Sequence, residues 1–188
     1  MKKRTILQVT AALIISAVSC GQSAQKKTTA EQPESLEISE EHPNSGYLKV
    51  VGDSVEIPSF EIALKLSEKA EEKLKADTES VVVIAYFSGK AIADIPEKYA
   101  DMADYGFNFL TCKIELTDER VARFEHIKFS KELYDLLADK DITLLINVVS
   151  GRKSSEYNIL DCETLENSMS NVMGKRFTLN GTLIEIDN

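Results

Sequence analysis

The chain has 188 residues, 43% hydrophobic and 28% charged, with 31 acidic against 22 basic side chains and a formal net charge of −9. So acidic a balance argues against nucleic acid as a partner, because phosphate backbones are held by clustered Lys and Arg. It argues equally against electrostatic adhesion to anionic lipid, and it favours solubility.

The first twenty residues are a segment of their own. Lys2, Lys3 and Arg4 precede a run from Ile6 to Val18 that is apolar except for Gln8, Thr10 and Ser16, and small residues then lead to Cys20. A positive start, a short apolar stretch and a small-residue end make a secretory signal peptide, residues 1–19. No other window approaches the roughly 20 apolar residues that span a bilayer. Ala17-Val18-Ser19-Cys20-Gly21 resembles the lipobox of bacterial lipoprotein precursors, with Ala17 where that family usually carries Leu. The resemblance covers only this segment. It implies cleavage before Cys20, acylation of Cys20 (palmitate among the chains) and attachment to a bacterial membrane on its periplasmic or surface face. Ala17-Val18-Ser19 also fits an ordinary small-x-small cleavage site, whose product is a plain periplasmic protein. Cleavage before Cys20 removes Lys2, Lys3 and Arg4, so −9 becomes −12.

Residues 20–46 read as the lipidated Cys followed by a tether, polar and nearly free of aromatics, with Pro33 and Pro43. Such a stretch buries too little apolar surface to fold. Its root-mean-square reach is roughly 25–30 Å. Residues 47–188 are about the length of one domain.

Within that domain the apolar pattern is mainly period two. Phe60, Ile62, Leu64 and Leu66 predict a half-buried strand, while the continuous apolar runs Val81–Phe87 and Ile142–Val149 predict strands covered on both faces. Leu110, Cys112, Ile114 and Leu116 alternate with polar residues, which puts Cys112 on a buried face. Phe177, Leu179, Leu183 and Ile186 flank Asn180-Gly181, a hairpin signal. Short helices are expected from Ser67 to Leu74, from Ser130 to Asp139 and, as a turn, from Pro96 to Ala103. Two stretches match: one begins at Phe60 and the other at Phe124, aligning Ser67 with Ser130, Leu74 with Leu137, and Ser88-Gly89-Lys90 with Ser150-Gly151-Arg152. Each unit reads as strand, helical crossover and long strand, which suggests a pseudo-symmetric domain. The fold class expected is mainly β, a two-sheet sandwich (immunoglobulin/transthyretin-like) with short helical crossovers; α+β is the alternative.

Candidate chemistry is sparse. Setting Cys20 aside leaves Cys112 and Cys162, an even pair in a compartment where disulfides persist, so a bridge is expected. Separate buried thiols are the other reading. His42 lies in the tether, and His126 is expected in a short strand with Glu125 on the opposite face, so the two cannot share a metal. No zinc spacing, nucleophile elbow or phosphate-binding glycine loop occurs. No catalytic residue, metal or cofactor is therefore assigned. The pairs Asp101/Asp104 and Asp139/Asp141 read as a solvated face and a turn.

One basic, hydroxyl-rich loop stands out, Ser150-Gly151-Arg152-Lys153-Ser154-Ser155, with Lys90 at the matching place in the first unit. Together these form a candidate binding rim, since loops on a rigid scaffold commonly carry function. The functional expectation is a non-enzymatic binding or scaffolding module with an envelope protein as partner. The alternatives are a module binding a small anion or glycan through residues 150–155, and a hydrolase with an unrecognised site.

Overall fold

The structure is a computed structural model, and it describes residues 46–103 and 106–185. The signal peptide, Cys20, the tether, His42 and Asp104 lie outside the described residues. The fold is mainly β and sandwich-like. In chain order the strands are β1 (Lys49–Val51), β2 (Ser54–Ile57), β3 (Phe60–Leu66), β4 (Val81–Gly89), β5 (Phe107–Leu116), β6 (Val121–Phe124), β7 (Ile127–Ser130), β8 (Thr143–Ser150), β9 (Leu160–Cys162), β10 (Leu165–Ser168) and β11 (Arg176–Leu183). Helices α1 (Glu68–Ala76), α2 (Lys131–Asp135) and α3 (Met169–Val172) are short, and a 3-10 turn covers Glu97–Met102.

Two four-stranded sheets, β6-β3-β11-β9 and β10-β8-β4-β5, form the body, with a small third sheet, β1-β2-β7, beside them. The two large sheets share one core. Phe60 on β3 stacks on Phe124 of β6 at 4.8 Å between ring centroids and meets Phe87 of β4 edge-on at 6.4 Å. All three rings are buried. β5 flanks β6 and β8 flanks β9, so the sheets meet along both sides.

The crossovers follow from their caps. Ser67 accepts a hydrogen bond from Ala70 N–H at 3.3 Å, with Glu68 and Glu71 in the first turn of α1 and Lys73 and Lys75 in the last. Those charges complement the helix dipole. Ser130 repeats the cap, accepting from Leu133 N–H at 3.3 Å. α2 nevertheless stops at Asp135, short of the Asp139 expected. Leu137 leaves the helix to bridge Ala91, and Lys140, at φ +56°, turns its ammonium onto the carbonyls of Tyr134 and Asp135.

Matched positions of the two units do matched work. Leu74 and Leu137 are both buried, and β4 and β8 lie side by side, antiparallel. Gly89 and Gly151 each stand where a Cβ would collide: at Gly89 with Leu137 and the Asp141 carbonyl, at Gly151 with the Ser80 hydroxyl. The strands ahead of the helices differ. β3 is continuous, whereas its counterpart is split into β6 and β7, which join different sheets. His126, expected in a strand, sits at that break with φ +56°.

Two further expectations are corrected. Asn180-Gly181 is no turn: β11 runs straight through it, parallel to β3 and antiparallel to β9. The glycine is required there by close approach, since a Cβ would lie 2.5 Å from Cys162 Sγ and 2.7 Å from Leu66 Cδ2. Nor are β4 and β8 covered on both faces. Thr143, Leu145, Asn147 and Val149 of β8, with Val82 and Tyr86 of β4, stay half-buried on an outer face across which, among the described residues, no helix packs.

Candidate functional site

The Ser150–Ser155 loop leaves the end of β8 and is tied down at Ser150, Gly151, Lys153 and Ser154. Ser150 N–H donates to Asn158 Oδ1 at 2.8 Å, and Ser150 Oγ accepts from Ile159 N–H at 3.1 Å. Gly151 N–H donates to the Ser80 carbonyl at 2.8 Å. The loop then wraps a carboxylate that precedes β4, Glu79, which is only 5% exposed. Lys153 N–H, Ser154 N–H and Ser154 Oγ donate to Glu79 Oε2 at 2.9, 2.8 and 2.8 Å. Ser80 N–H donates to the other oxygen at 2.9 Å.

Burial alone would raise the Glu79 pKa, but these hydrogen bonds outweigh it and hold the group down at about 2, against an ordinary 4.5. Glu79 is therefore an internal anion filling a nest of backbone donors. That arrangement removes from the loop the donors that a small anion would need. The cations are also engaged. The Lys153 ammonium lies 2.6 Å from Glu115 Oε1, which also accepts from Ser80 Oγ at 2.6 Å. Arg152, at φ +59°, is exposed and makes no ion pair among the described residues. Beside the loop runs an open groove of about 610 Å³, whose wall includes Glu71, Lys75, Glu79, Arg120 and Lys153. Arg120 is held across it by Glu71, 2.8 Å away, and by the Thr117 carbonyl.

Lys90 does not join this loop. In the antiparallel register Val81 faces Ser150, while Ser88 faces Thr143, so Lys90 follows the far end of the strand pair. Its carbonyl accepts from Ala138 N–H instead. A rim spanning Lys90 and residues 150–155 is thus ruled out by strand direction. Sequence reading missed Glu79, although aligning the two units sets it against Asp141. Asp141 acts similarly, its Oδ1 accepting from Ile142 N–H at 3.0 Å and from Ser168 Oγ at 3.0 Å.

The expected Cys112–Cys162 bridge is not formed, and both thiols are free. Cys112 lies on β5, at one edge of its sheet, and Cys162 on β9, at the opposite side of the sandwich. Both are half-buried. Burial raises the Cys112 pKa and pushes Cys162 up to about 11, so both stay protonated at neutral pH. Among the described residues no three His, Cys, Asp or Glu side chains are grouped to hold a metal ion, and no helix is long and apolar enough to cross a membrane. No family model matches the chain, and neither a curated protein nor a solved structure matches it.

Proposed function

We propose that the chain is an exported bacterial lipoprotein, anchored through Cys20, whose folded domain is a non-enzymatic binding or scaffolding module of the cell envelope. One observation carries this reading: Lys2-Lys3-Arg4, a short apolar run and Ala17-Val18-Ser19-Cys20-Gly21 stand in that order ahead of a polar tether and a single domain. The binding half of the reading draws support from Glu79. An ionised carboxylate met by four hydrogen-bond donors has no proton to give at neutral pH. It fixes a loop as a rigid platform, and Arg152 at the loop's tip is exposed for contact with an envelope protein.

Cross-linking the native protein in its own cells tests this. One dominant envelope protein should be captured, and Arg152→Ala should weaken the capture. Recovery of no specific protein contradicts the scaffold reading.

A further inference from the structure

We propose that the outer face of the β10-β8-β4-β5 sheet packs against the same face of a second copy of the chain, about a two-fold axis running along the strands. Two observations support this, and neither depends on the lipid anchor.

The first is the contrast between the two outer faces. On the β6-β3-β11-β9 sheet that face is polar: Glu61 lies between Arg123 and Arg176 and pairs with both, and Lys65, Thr178 and Asn180 continue it. On the other sheet Val82 stands opposite Val149, Ile84 opposite Asn147, and Tyr86 opposite Leu145. Ile84, at the centre, is 9% exposed. Strands apolar on both faces are those that pack on both faces. Here one side is supplied by the domain itself.

The second is the charge at the rim. Lys113 on β5 lies opposite Ile84 at one edge, and Glu166 on β10 lies opposite Leu145 at the other. Both are exposed, and neither makes an ion pair among the described residues. A two-fold axis along the strands lays β5 of one copy over β10 of the other. Each Lys113 then lies one outward-facing residue, about 7 Å along the strand, from the level of the partner's Glu166, within reach of two extended side chains and twice per dimer, and Tyr86 lies over the partner's Leu145. An axis across the strands would set β5 over β5 and Lys113 near the partner's Lys113. Charge thus selects the orientation.

Size sets the strength of the pair. Four strands of four, eight, nine and ten residues, about 4.8 Å apart, give a face of roughly 500 Å² in projection. That is below the roughly 800 Å² per partner of a standard stable interface. The pair is accordingly weak, and a covalent trap is the suitable readout.

In cells making the full chain, a photo-crosslinking benzoylphenylalanine is placed at Thr111, exposed on this face, or at Thr178, exposed on the opposite one. Position 111 should yield a homodimer joined to the β10 segment Leu165–Ser168, and position 178 should not. Lys113→Glu should lower the yield roughly fivefold or more by setting like charges together, and adding Glu166→Lys should restore it. No homodimer from position 111, an equal yield from position 178, an unchanged yield with Lys113→Glu, or an adduct only to a different protein would each overturn the proposal.

Discussion

Glu79→Ala should lower the thermal midpoint of unfolding by roughly 10 °C, followed by circular dichroism at pH 7. The change leaves Lys153 N–H, Ser154 N–H and Ser80 N–H without their acceptor, and a buried donor left unpaired costs about 1–3 kcal/mol. The total is on the order of 3 kcal/mol, less than the sum because the loop can relax. Glu79→Gln should fall between, since an amide accepts at one end but presents its own N–H groups to donors at the other. The two variants also separate a pH effect. The folded pKa of about 2 lies below the ordinary 4.5, so ionised Glu79 stabilises the fold fully above about pH 5, and that stability is lost as pH falls toward 2. The natural chain should therefore lose stability more steeply than Glu79→Gln over that range. Equal acid profiles, or a midpoint for Glu79→Ala within 2 °C of the natural chain at pH 7, would show that the loop does not depend on this carboxylate.

The larger loss is expected from Phe60→Ala, about 3–5 kcal/mol in urea unfolding. Phe60 is the ring that joins the two large sheets, stacked on Phe124 and set edge-on to Phe87. Removing it opens a cavity in the core and forfeits aromatic contacts worth about 0.5–1.5 kcal/mol beyond burial. The urea midpoint should fall while the slope is nearly unchanged, as for a loss of native-state packing. Phe124→Ala should cost a similar amount, and the double variant less than the sum, because each removes the partner of the other. Additive losses would mean that the rings act independently.

Both sites show how far local sequence reaches. β3 was legible from Phe60-Ile62-Leu64, because alternation in a half-buried strand is a local property. So were the Ser67 and Ser130 caps, where a hydroxyl and the amide three residues on form a self-contained motif. Asn180-Gly181 misled, because the same dipeptide suits a turn and a crowded strand, and only the approach of Cys162 and Leu66 decides between them. Lys90 was misplaced for a related reason. Matching ends of two repeats lie together only if the strands run parallel, and β4 and β8 are antiparallel. Glu79 carries no local signal, since all its donors except the neighbouring Ser80 amide come from a loop more than seventy residues away. The apolar runs of β4 and β8 marked them as strands, but the cover expected on their second face is missing among the described residues, because an apolar run does not say what packs on it.

Attachment through Cys20 is tested most directly by mass spectrometry of the N-terminal tryptic peptide of the mature protein, purified from its own cells. The lipoprotein reading predicts a peptide beginning at Cys20, ending at Lys26 and carrying acyl chains, absent when Cys20 is replaced by Ala. A mature chain that begins elsewhere, or an unmodified Cys20, would contradict it.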